Sequence, residues 1–358
     1  MVTLIGRHMP SPADSLVLRQ SSIDDGGDWL EECLRIGDLQ SALLTRLIGE
    51  GRQSIARSAG VNALAAFRAA LHLLATGDPR RDNVMSRLRA CADTLLRHGE
   101  PLAEFVTLPG IDRAALRACF LPASRLSARA PVVICIGDED EPLELMLSRV
   151  APAMIAKGMA LLLVEMSEVA DAPGLQHAGL ITAEMRVGDC IDYLASRRDV
   201  DAERIAVWGD GLAAAIATRA AVAEARVCAA VCDGGLWDAL RVGAGVAWLS
   251  GGDEVVARPG DTVRRVRLAQ RIRCPFLVVA SERNVASVQE AVALQADCVC
   301  LGIAMDLEVP GVNAAPRDIV DAMMRSEARV ADWLSMRLGG MASDRAQTDT
   351  QQVLAGQS

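Results

Sequence analysis

The chain has 358 residues, 51% of them hydrophobic and only 3% aromatic, and a formal net charge of −9. That hydrophobic content excludes disorder over most of the length and leaves enough material for a large core. The negative balance and the scarcity of aromatics argue against nucleic acid or an anionic membrane as a partner, so a small-molecule substrate is expected.

Residues 1–25 carry Pro10, Pro12 and Asp14 and no continuous apolar core, which reads as a loosely ordered N-terminus and not as a signal peptide. Residues 26–100 read as a helical domain. Trp29, Cys33, Leu34, Ile36, Leu39, Leu43, Leu44 and Leu47 recur at helical spacing, a second helix runs from about Ser54 to Ala75, and a third carries Met85, Leu88, Cys91, Leu95 and Leu96. Residues 101–338 change character. Glu104–Leu108 and Ala114–Leu121 flank the Pro109-Gly110 turn as a β-pair, and Pro131–Ile136 is a continuous apolar run suited to a buried parallel strand. Strands and helices then alternate, which predicts an α/β doubly wound, mostly parallel sheet. The Gly-rich segment 234–273, with Trp237 and Trp248, interrupts the alternation and reads as a lid insertion. Strands are expected at Pro275–Ala280 and Ala296–Leu301, and a last helix at Ile319–Leu338; the polar residues 339–358 read as a disordered tail. The apolar run Met159–Val164 is too short to span a bilayer.

The most informative stretch is Arg204-Ile205-Ala206-Val207-Trp208-Gly209-Asp210-Gly211-Leu212-Ala213-Ala214-Ala215. A strand runs through a tight turn into an Ala-rich helix, which is the layout of the G-x-S-x-G nucleophile elbow. Gly209 and Ala213 fill the outer small positions, and Gly211 stands where the serine belongs. Reading Asp210 as the nucleophile would put Trp208 and Leu212 at positions where strand and helix need small residues.

This arrangement resembles the α/β hydrolases over roughly residues 40–338. The nearest branch is that of 2,6-dihydroxypseudooxynicotine hydrolase, the FrsA-like esterases and the fungal polyketide-shortening hydrolases. The residues that carry the resemblance are Gly51–Ala75, Pro131–Gly137, Asp199-Val200-Asp201-Ala202-Glu203-Arg204-Ile205 and Ala331-Asp332-Trp333-Leu334. The resemblance implies an α/β-hydrolase fold with an N-terminal helical domain and a lid insertion. It also implies a catalytic acid after the strand Pro275–Ala280 and a histidine after the last strand. Those positions hold Asn284, in Ser281-Glu282-Arg283-Asn284, and Val312, in Glu308-Val309-Pro310-Gly311-Val312-Asn313. The four histidines are His8, His72, His98 and His177, so none follows residue 177 and a triad in the order Ser…Asp…His cannot form.

Ligands in open α/β sheets bind at the carboxyl ends of the strands. Asp138, Glu139, Glu165, Asp210, Asp233 and Glu282 fall at those ends, as solvated loop carboxylates and caps or as acid–base groups. The candidate catalytic residues are Asp210, Asp138 and His177; the candidate substrate contacts are Gly211, Leu212, Asp233, Trp237, Asn284 and Val312. An oxyanion hole built from the Leu212 N–H and the loop around Asp138 needs no side chain. Three functions follow: a non-hydrolytic biosynthetic enzyme (lyase, cyclase, dehydratase or isomerase) on a polyketide-like, acyl or aromatic ketone substrate; an inactive pseudo-hydrolase that binds a ligand or partner; and a hydrolase with displaced catalytic groups.

The ten cysteines include a C-x3-C at Cys228/Cys232 and a C-x-C at Cys298/Cys300 but no zinc spacing, so neither metal nor other cofactor is expected. With Cys135, these five sit in strand-like runs and read as reduced, buried thiols, which suits the cytoplasm. Leu43, Leu44, Leu47 and Ile48 beside Leu39 put apolar residues on more than one face of the first helix, which predicts a homodimer.

Overall fold

A computed structural model describes residues 26–75, 77–108, 116–123, 129–137, 141–165, 178–211, 213–236, 269–280, 288–310 and 316–355. The chain divides into two compact units, one of Met1–Glu100, Leu147–Pro152 and Val312–Met324, the other of Pro101–Met146, Ala153–Gly311 and Arg325–Ser358.

The first unit contains three long helices, α1 (Gly26–Gly49), α2 (Gln53–Leu73) and α3 (Arg80–His98). Helix α1 buries Trp29, Leu30, Cys33, Leu44 and Leu47, whereas Leu39 lies on its outer side, 57% exposed. Helix α3 buries Val84, Leu88, Cys91, Ala92, Leu95 and Leu96, a stripe at helical spacing.

The second unit is built on an eight-stranded sheet. Its strands are β1 (Glu104–Leu108), β2 (Leu116–Leu121), β3 (Ala130–Ile136), β4 (Ala160–Val164), β5 (Val200–Asp210), β6 (Val227–Asp233), β7 (Phe276–Val279) and β8 (Met305–Glu308). The spatial order is β1-β2-β4-β3-β5-β6-β7-β8. The β1–β2 and β2–β4 pairs are antiparallel and the other five are parallel. Strands β3, β4 and β5 are buried nearly throughout their apolar runs, as parallel strands covered on both faces must be. The remaining helices are α4 (Leu143–Ala156), α5 (Ala178–Ser196), α6 (Ala213–Ala223), α7 (Val288–Cys300) and α8 (Pro316–Ala355), with parts of α4 and α8 counted in the first unit.

The antiparallel edge is clamped by Arg197, just beyond α5. Its guanidinium donates to both Glu104 oxygens (2.6 and 2.8 Å), both Asp199 oxygens (2.8 and 2.9 Å) and the Tyr193 hydroxyl (2.8 Å). It also lies 3.9 Å from the centre of the Phe120 ring. Arg197 is held firmly charged, chiefly by Glu104, and it holds the Asp199 carboxyl below the usual range.

One expectation is corrected here. Ala296–Leu301 is not a strand: residues 296–300 close α7, and the strand is Met305–Glu308. Ala291, Leu294 and Cys298 are buried at steps of three and four while Val292 and Val299 are exposed, which is a helical pattern that a six-residue apolar window conceals. Cys298 and Cys300 therefore lie on a helix, and Cys300 is exposed. The last helix runs through Gly339 and Gly340 to Ala355. Residues 341–355 contain no Gly or Pro and many good helix formers, Ala, Gln, Met, Arg and Leu, and that propensity outweighs the polarity.

Helix α8 is tied to the β8 edge by side chains. Trp333 Nε1 and Arg337 both donate to Asp306 Oδ2 at 2.7 Å, and Arg329 pairs with Glu308 at 2.9 Å. Residues 329, 333 and 337 recur every fourth position, so one stripe of the helix meets alternate residues of the strand. Lys157, beyond α4, pairs with Asp332.

Candidate functional site

The turn from β5 into α6 has the geometry the sequence implies. Gly211 sits at the apex with φ of +55°, in the left-handed region that suits glycine. A β-carbon on Gly209 would stand 2.1 Å from the Ala213 carbonyl oxygen, so no other residue fits there. This close approach fixes Gly211, and not Asp210, as the apex.

The apex is latched to the neighbouring strand through backbone alone. The Gly211 N–H donates to the Asp233 carbonyl at 2.7 Å, and the Gly234 N–H to the Val279 carbonyl at 3.1 Å. Gly234 has φ of +132°, and a β-carbon there would lie 2.8 Å from the Gly211 oxygen. Gly209 and Gly234 are thus positions at which a β-carbon would meet backbone.

Register places Asp210 directly opposite Asp233, both half-buried. Paired residues on parallel strands point to the same side of the sheet, about 4.8 Å apart between strands. Asp210 therefore stands beside Asp233, a pairing that the sequence alone does not disclose. Asp138, His177, Leu212, Trp237, Asn284 and Val312 lie outside the described residues. Asp210, Gly211 and Asp233 are brought together. At the end of β3, a β-carbon on Gly137 would stand 2.8 Å from Met146 Cε and 3.0 Å from Glu141 Oε2. Only the glycine after the apolar strand hints at that close approach.

Cys232 stands opposite Gly209. It is fully buried against Thr218 Oγ1 at 3.2 Å, and burial pushes it up to about 12. A thiol held protonated at neutral pH is a poor nucleophile. Among the described residues, no group of His, Cys, Asp and Glu could hold a metal ion. No described helix is long and apolar enough to cross a membrane.

The sheet order, the antiparallel second strand and the glycine-built elbow define the α/β-hydrolase fold, and the chain adopts it. Comparison with known proteins is consistent with this. The chain matches the solved 2,6-dihydroxy-pseudo-oxynicotine hydrolase with a TM-score of 0.53 and 17% identity, over 90% of this chain and 92% of that one. It matches the esterase Pf2001 of Pyrococcus furiosus with a TM-score of 0.50 and 15% identity, over 66% of this chain and 91% of that one. Among curated proteins it is 32% identical over 128 residues to the thiohydrolase apmlB of Arthrinium phaeospermum. That match takes in 35% of this chain and 41% of the relative's length. No protein-family model matches.

Proposed function

We propose that this chain is an α/β-hydrolase-fold protein without the Ser-Asp-His triad, acting as a non-hydrolytic biosynthetic enzyme on a small polyketide-like, acyl or aromatic ketone substrate. The observation that carries the reading is Gly211 at the apex of the elbow, with φ of +55°. In hydrolases of this fold that point presents the nucleophile. No histidine follows His177, and the resemblance to the family implies that Asn284 and Val312 occupy the positions of its acid and base. The thiohydrolase relative supports an acyl-type substrate.

In this reading the backbone N–H of Leu212 and of the loop after β3 hold a carbonyl oxygen of the substrate. Glycine at the apex leaves room there for a substrate group. A carboxylate, Asp210 or Asp138, removes a proton from the carbon next to the carbonyl, and negative charge moves onto the held oxygen. The proton is then returned at another position, or a substituent one carbon further leaves. Asp233, in register with Asp210, is the second carboxylate at hand.

The test is to incubate the protein with a panel of small ketones and acyl thioesters in D2O and follow them by NMR. The expected result is deuterium at the carbon beside the carbonyl without release of acid, reduced roughly a hundredfold or more in Asp210→Asn. Release of free acid at a catalytic rate would overturn the reading.

A further inference from the structure

We propose that a second copy of this chain pairs with strand β1, joining two sheets edge to edge through an antiparallel β1–β1 contact on a two-fold axis. The sheet has two edge strands, β1 and β8. An edge strand presents a row of backbone N–H and C=O groups with no neighbouring strand to bond, and such a row is a template for another strand. Folded chains blunt it with charges, with proline or with a covering helix. The β8 edge is blunted in this way: Asp306 and Glu308 are charged, and α8 is held to them through Arg329, Trp333 and Arg337.

The β1 edge is not. Strand β1, Glu104-Phe105-Val106-Thr107-Leu108, contains no Lys, Arg or Pro, and among the described residues β2 alone pairs with it. Phe105 is 65% exposed, and Leu102, just before the strand, 58%. Glu104 carries the strand's single charge, and Arg197 donates to both of its oxygens at 2.6 and 2.8 Å. The edge therefore sets little unmatched charge against another copy, although the chain as a whole carries −9.

That charge pattern selects the occupant. A strand from a charged partner would find no unmatched side-chain charge on β1 to recognise, whereas a second copy needs none. A two-fold axis perpendicular to the sheet makes the contact isologous. A register centred on Phe105 sets that residue opposite its own copy and Glu104 opposite Val106. Two exposed aromatic rings then cover each other and the like charges stay apart, both of which favour antiparallel pairing. A pair of five-residue strands is a small contact, at the weak end of the interface range, so the dimer forms as concentration rises.

The experiment is sedimentation velocity on the full chain across a wide range of concentration, with hydrogen–deuterium exchange at the lowest and the highest. The expected result is a monomer that converts to a dimer, with the added amide protection greatest in residues 101–108. Phe105→Lys, at an exposed position, should keep the fold and raise the dissociation constant roughly tenfold or more. The exchange measurement uses the unaltered chain and so stands even if the variant folds poorly. A monomer at every concentration would overturn the proposal. So would a dimer whose added protection lies elsewhere, such as on α1, or one that a folded Phe105→Lys variant forms equally well.

Discussion

The elbow and the β8–α8 junction are built from opposite materials. At the elbow, Gly209, Gly211 and Gly234 bring backbone against backbone, and one added β-carbon would land 2.1 Å from a carbonyl oxygen. At the junction, Asp306, Glu308, Arg329, Trp333 and Arg337 hold a helix to a sheet edge through side chains. The contacts at Gly209 and Gly234 have no space for a β-carbon, whereas a contact made by several charged groups weakens by degrees. The elbow's geometry therefore outlasts any change in what the apex presents.

The largest predicted effect follows from that difference. Gly209→Ala should destabilise the chain by about 3 kcal/mol, because strand and helix must separate to admit one methyl group. Gly188→Ala, in α5 where nothing lies within 4 Å of the new β-carbon, should instead stabilise by about 0.5–1 kcal/mol. Urea denaturation of both variants measures the contrast, and equal effects would break it. Next comes Asp306→Ala, which removes the acceptor shared by Trp333 Nε1 and Arg337. A loss of about 1–2 kcal/mol is expected, with Trp333 fluorescence shifting toward the exposed range. A loss as large as that of Gly209→Ala would mean the junction is as intolerant as the elbow.

These two regions also differ in how far the sequence discloses them. Gly209, Gly211 and Ala213 are adjacent in the chain, and steric need for smallness leaves a local signature, so the elbow and its apex were legible. Strand β8 was not. Its four residues, Met305–Glu308, are half polar because two carboxylates face α8, and the more apolar Ala296–Leu301 drew the assignment. The pairing of Asp210 with Asp233 was likewise hidden, since register between strands is set by packing across the sheet and not by local pattern.

A smaller effect is expected at the antiparallel edge. Arg197 holds the Asp199 carboxyl below its ordinary range. A lowered folded value means that the stabilisation is fully present above the unfolded value of about 3.9 and is lost as pH falls through the folded one. The gap in melting temperature between the wild type and Asp199→Asn should thus be constant above about pH 5 and narrow in more acid solution. A gap that widened on acidification would contradict the pairing. The smallest effect is predicted for Gly211→Ser, which restores the signature residue without a base. Its ester hydrolysis should stay at the wild-type background, because an unassisted hydroxyl remains protonated. Turnover typical of serine esterases would show that a base stands within reach.

The most direct test of the central claim is to expose the wild-type chain to a fluorophosphonate probe and to an acyl thioester, and to read its intact mass. An elbow with glycine at its apex forms no covalent adduct with either reagent, and the mass should not change. A stoichiometric phosphonyl or acyl adduct mapped to the turn between β5 and α6 would contradict it.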